Sequence, residues 1–81
     1  MKWRAFMQVQ VVLFHYQASL RGLTFEANKM YVFKIKKLWG EQFLCYQDIY
    51  LLCIDTFQNQ YVETHLISWV DDPEIIAKLV A

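Results

Sequence analysis

The segment Asn28-Lys29-Met30-Tyr31-Val32-Phe33-Lys34-Ile35-Lys36-Lys37-Leu38-Trp39-Gly40 admits two readings, and the fold turns on which is taken. Wound as a helix, Tyr31, Val32, Ile35, Leu38 and Trp39 fall at i, i+1, i+4, i+7 and i+8 and form one apolar stripe. Asn28 then serves as N-cap, Lys36 and Lys37 lie in the last turn where a helix end favours cations, and Gly40 takes the C′ position. Drawn out as a strand, Tyr31, Phe33 and Ile35 alternate with Lys34 and Lys36, and the β-branched and aromatic content suits a pleated surface. Period and caps agree on the helix, and the helix is the expectation adopted.

The flanking segments read as strands. From Trp3 to Leu13 the odd positions Trp3, Ala5, Met7, Val9, Val11 and Leu13 share a face, with Arg4, Gln8 and Gln10 opposite. After Val11 both parities become apolar through Val12, Phe14 and Tyr16, which a bend or bulge near Val11–Leu13 would explain. Residues 17–22 supply turn chemistry, and Leu23–Ala27 resumes a strand, so the first two strands are expected to form a hairpin. Gln42–Thr56 is strand-like, and its stretch Ile49–Ile54 is apolar on both parities, as in a strand buried on both faces. Phe57-Gln58-Asn59-Gln60 reads as a hairpin turn and Tyr61–Val70 as the partner strand. Asp72-Pro73-Glu74 combines an N-cap carboxylate, proline at N1 and an acid in the first turn, predicting a short helix from Pro73 to about Val80.

The expected architecture is therefore α+β, with an antiparallel four-stranded sheet in the order β-β-α-β-β-α, a helix packed on one face and a short C-terminal helix. It makes one domain over residues 1–81, without repeats, linkers or low-complexity tracts. A chain this short buries only about 60% of the surface its unfolded state exposes. Yet 57% of its residues are hydrophobic and it carries six Phe, five Tyr and three Trp. The surplus calls for a cover over the second face of the Ile49–Ile54 strand, supplied by a second copy or another protein.

Net charge is zero, but it is unevenly distributed. Residues 1–40 hold seven Lys and Arg against Glu26 alone, and residues 41–81 hold seven Asp and Glu against Lys78 alone. The apolar run Ala5–Leu20 is interrupted by Gln8, Gln10, His15, Gln17 and Ser19 and is too short for a membrane-spanning helix of ~20 apolar residues. No signal-peptide pattern is present, and Cys45 and Cys53 make neither a disulfide framework nor a CxxC, so a cytoplasmic protein with reduced thiols is expected.

Catalytic chemistry finds no footing in the sequence. His15 and His65 lie in no HxxxH, HExxH or Cys/His motif, and no metal site or cofactor is expected. Gly22 and Gly40 are isolated, so no phosphate-cradling loop exists, and neither cysteine nor any serine stands beside an activating group. The chain reads as a non-enzymatic protein-protein interaction module, a homodimeric adaptor, regulator or inhibitor that covers a partner surface, with no small-molecule substrate. Its expected contact residues are Phe6, Phe14, Tyr16, Tyr61 and Trp69, because aromatics dominate interface energetics. The alternative is a nucleic-acid-binding module using Lys29, Lys34, Lys36 and Lys37 to neutralise phosphates and Trp39 to stack on an unpaired base. Against it stand the near-neutral pI and the helical numbering, which turns Trp39 toward the core.

Overall fold

A computed structural model describes residues 8–81. Seven strands and two short helices follow the order β1 (Val9–Phe14), β2 (Ala18–Leu20), β3 (Leu23–Phe25), β4 (Lys29–Leu38), β5 (Glu41–Tyr46), β6 (Ile49–Cys53), α1 (Ile54–Phe57), β7 (Ile67–Val70) and α2 (Pro73–Val80). Five strands form one antiparallel sheet in the order β6-β5-β4-β1-β7, and β2 and β3 make a separate two-stranded ribbon. The fold is thus α+β with an antiparallel sheet, but the sheet has five strands rather than four.

The decisive segment 28–40 is a strand, not a helix. It is the ten-residue β4, paired with β1 on one side (Val12 to Tyr31, Gln10 to Phe33) and with β5 on the other (Ile35 to Leu44, Lys36 to Phe43). The signals that suggested helix caps are turn residues. Asn28 has φ +62° and Gly40 φ +78°, and a glycine serves equally well after a helix or in a primed hairpin turn because both need positive φ. The strand wins because alternation places Tyr31, Phe33 and Ile35 together against the core, while Lys34 and Lys36 point the other way.

Three hairpins close through two-residue turns with both central φ values positive: Arg21-Gly22 (51°, 80°), Trp39-Gly40 (51°, 78°) and Gln47-Asp48 (51°, 62°). Such type I′ turns match the right-handed twist of the strands they join. The first of them joins β2 to β3, so the expected hairpin between the first strand and residues 23–27 is replaced by the small ribbon and by the pairing of β1 with β4. No bend interrupts β1. Val11 and Val12 are both inaccessible, so the apolar character of both parities reflects burial on both sides. The expected positions Trp3, Arg4, Ala5 and Met7 lie outside the described residues.

The two-sided apolarity of Ile49–Ile54 has a different cause. Cys45 pairs with Tyr50 and Phe43 with Cys53, so three residues of β6 span what two of β5 span. This bulge changes parity within the strand. It brings Ile49, Leu51, Leu52 and Ile54 all against the core and leaves the partly exposed Tyr50 facing outward. The bulge accounts for apolar residues at both parities of this stretch, of which Leu51 is buried and Ile49, Leu52 and Ile54 are partly buried.

The expected turn at 57–60 and strand from Tyr61 are also replaced. Ile54–Phe57 is helical and continues as a π-helical turn through Gln58–Val62, so that only Ile67–Val70 pairs as a strand, with β1. Ile54, Phe57, Tyr61 and Val62 recur at i, i+3, i+7 and i+8 and face the core, a helical stripe with no glycine or proline to break it. The segment ends in a Schellman motif: Leu66 N–H donates to the Tyr61 carbonyl (2.9 Å), His65 N–H donates to the Val62 carbonyl (3.0 Å), and His65 holds φ +64°. Because a side chain resists that conformation, His65→Gly should raise stability by about 0.5–1 kcal/mol, read as an upward shift of the urea midpoint.

The core is aromatic. Phe14, Phe25, Phe33 and Phe57 are wholly buried with Val12, Leu44, Leu51 and Ile67, and the rings of Phe14 and Phe25 stack at 4.9 Å. The β2–β3 ribbon closes one part of this face through Leu20 and Phe25, and α1 closes another through Phe57. The C-terminal helix forms as its sequence predicts: the Glu74 amide donates to Asp72 Oδ1 at 2.9 Å, with Pro73 at the first helical position.

Candidate interaction surfaces

The aromatic residues expected to meet a partner do not share one surface. Phe6 lies outside the described residues. Phe14 is a core residue, fully inaccessible and edge-on to Tyr31 and Phe33, which withdraws it from any surface role. Tyr61 and Trp69 are half-buried, each stacked on Phe57 at 4.9 and 5.7 Å, so most of their apolar area serves the fold. Of the four that are described, Tyr16 alone stands well exposed.

The most exposed large hydrophobic residue among those described is Trp39, 89% accessible at the tip of the β4–β5 hairpin. Alternation would have turned its ring to one face of a longer strand, but the primed turn begins at Trp39 and swings it outward. Beside this tip a polar cleft of about 240 Å3 is lined by Gly40, Glu41, Gln42, Cys53, Ile54 and Asp55.

The lysines divide by parity. Lys34 and Lys36 lie on the outer face of β4 opposite Cys45 and Phe43, whereas Lys29 and Lys37 belong to the other parity. Lys36 Nζ sits 5.9 Å from the centroid of the Tyr50 ring, and Phe43 meets Tyr50 edge-on at 6.1 Å. Lys29 is engaged elsewhere: its ammonium donates to Glu26 Oε2 at 2.8 Å, and this hydrogen bond, with the Glu26 charge, holds the ammonium above its usual pKa. At this exposure the pair adds little to stability. No other ion pair occurs among the described residues, which leaves Lys34, Lys36 and Lys37 uncompensated.

A second concavity, about 440 Å3, runs between the start of β4 and α2, lined by Asn28, Lys29, Met30, Ile75, Lys78 and Leu79. Its walls are largely apolar, with Met30 and Leu79 both more than two-fifths exposed.

Two of the four histidines and cysteines make local side-chain contacts. His15 Nε2 lies 2.7 Å from Ser68 Oγ, an interaction that ties the end of β1 to β7. Cys53 Sγ lies 3.1 Å from Thr56 Oγ1 at the start of α1, and Cys45 is buried. Among the described residues no three His, Cys, Asp or Glu converge as a metal site, and no helix is long and apolar enough to cross a membrane. Comparison with protein-family models, curated proteins and solved structures finds no match to this chain. The case for function therefore rests on its own surfaces, of which the Trp39 hairpin tip is the most prominent. Hydropathy alone could not separate Trp39 from a core aromatic. Its exposure follows from the pairing of β4 with β5, which places Trp39 in the turn.

Proposed function

We propose that this protein is a small non-catalytic binding module of cytoplasmic setting that docks another protein through the β4–β5 hairpin, with Trp39 as its anchor. The observation that carries this reading is the indole itself, 89% exposed and mounted on a residue with φ +51°. An L-residue in this conformation costs about 1–2 kcal/mol, and an exposed indole returns nothing to folding. Tryptophan is also the residue type most enriched at binding hot spots. Because the tip is convex, the partner supplies the pocket. The test is capture of interacting proteins from a cell extract, with the wild-type chain and Trp39→Asn as parallel baits. Loss of a specific partner from the variant supports the reading, and capture indifferent to residue 39 overturns it.

The outer face of β4 favours a second reading, single-stranded nucleic acid. Two lysines without ion-pair partners on one face of β4, with Lys36 beside Tyr50 and Phe43, match the combination of phosphate neutralisation and stacking that such binding uses. On this reading affinity for an oligonucleotide falls linearly with the logarithm of salt concentration. Replacing both lysines, Lys34→Glu with Lys36→Glu, flattens the slope by about 1.4, at ~0.7 for each phosphate that is no longer neutralised. Binding that ignores both salt and the substitutions rejects it.

A further inference from the structure

We infer that the apolar groove between β4 and α2 is a self-association surface that takes the α2 of a second copy in antiparallel, two-fold arrangement. This surface is separate from the Trp39 tip. Met30 lies at the start of β4 and Trp39 just past its end, about 30 Å apart along an extended strand. Both can be occupied at once.

The charges of α2 choose the occupant. On this eight-residue helix Ile75 and Leu79 stand one turn apart, and beside them Glu74 and Lys78 stand one turn apart as well. Glu74 and Lys78 do not pair with each other, although their spacing permits it, since the Lys29–Glu26 pair is the only one among the described residues. A two-fold axis crossing the helix near Ile76 and Ala77 sets Ile75 of each copy against Leu79 of the other. The same rotation sets Glu74 of each copy against Lys78 of the other. The surface is complementary to itself, as a two-fold interface requires. Met30, at the base of the groove, adds a flexible apolar contact that adapts to the incoming helix.

A helix of eight residues is only about 12 Å long, so the contact area falls at the low end for specific interfaces and the dimer is weak, micromolar or weaker in order of magnitude. Sedimentation equilibrium on the full chain over a concentration series tests the inference. The wild type should approach dimer mass at high concentration. Lys78→Glu and Glu74→Lys should each weaken association about tenfold, because each replaces two attractions across the axis by two repulsions. The double variant Glu74→Lys with Lys78→Glu should recover it. Circular dichroism establishes that each variant is folded, and Leu79→Lys, at an exposed position, supplies a break that does not depend on the helix charges. Trp39→Asn should leave the dimer unchanged, which separates this inference from the partner-docking reading. A wild type that stays monomeric up to millimolar concentration, single variants that associate like the wild type, or a double variant that does not recover overturns it.

Discussion

Phe33→Ala should destabilise the protein by about 3–5 kcal/mol, the largest loss expected from any single truncation in this chain. The ring is wholly buried and lies 5.5 Å from Phe25 and Tyr46, 6.0 Å from Phe57 and 6.3 Å from Phe14, centroid to centroid. It therefore joins four elements through its ring contacts: β1, the ribbon strand β3, β5 and α1. Removing it takes away the transfer free energy of the ring, leaves a cavity, and abolishes edge-to-face packing with four neighbouring rings. A domain stabilised by about 5–15 kcal/mol in total, and at the small end of the size range, has little reserve against such a change. Urea denaturation followed by tryptophan fluorescence measures it. A loss under about 1 kcal/mol would mean that the aromatic cluster is not the centre of the core.

Trp39→Asn should move stability and binding in opposite directions. Asn-Gly is the sequence most suited to a type I′ turn, so the hairpin gains about 1 kcal/mol when the bulky residue is removed from its left-handed position. Partner affinity should meanwhile fall about thirtyfold or more, the equivalent of at least 2 kcal/mol for a hot-spot indole. The opposed signs identify the role. A tryptophan retained for folding would lose stability on replacement, and one with no role would leave binding intact. Thermal melts and a titration against the captured partner read the two effects separately.

Much of the fold was legible where local chemistry admits one solution. Asp72-Pro73-Glu74 specifies a helix start and nothing else, and α2 begins there with its cap bond made. The strand character of Gln42–Thr56 was legible too, but not its division into β5 and β6 by the turn at Gln47-Asp48, a dipeptide with neither glycine nor proline to mark it. The segment 28–40 misled for an identifiable reason: Asn28 and Gly40 mark positive φ, and a helix end and a hairpin turn share that requirement. What decides between them is pairing with β1 and β5, which lies 15 or more residues away on one side and is invisible to a local window. The helix at 54–62 was missed because its apolar stripe continues straight from a strand that is apolar on both parities, so no break in hydropathy marks the change of period. The candidate surfaces follow from the same ambiguity. With β4 drawn as a helix, Trp39 joined the core stripe. Drawn as a strand with a primed turn, the same residue becomes the most exposed hydrophobe of the described chain.

The place of β1 between β4 and the edge strand β7 has a consequence for how the protein is made. Its inner neighbours come from β4, but its second edge is filled only by β7, through pairs such as Val11 with Val70, roughly sixty residues later in the chain. At a synthesis rate of about 5–20 residues per second, that edge waits some 3–12 s after β1 leaves the ribosome. The three tight hairpins form within microseconds of their synthesis, so the nascent chain holds a nearly complete sheet with one open apolar edge. That edge is the point at which two growing chains can pair with each other instead of with themselves, and β7, only four residues long, is the segment whose timely arrival prevents it.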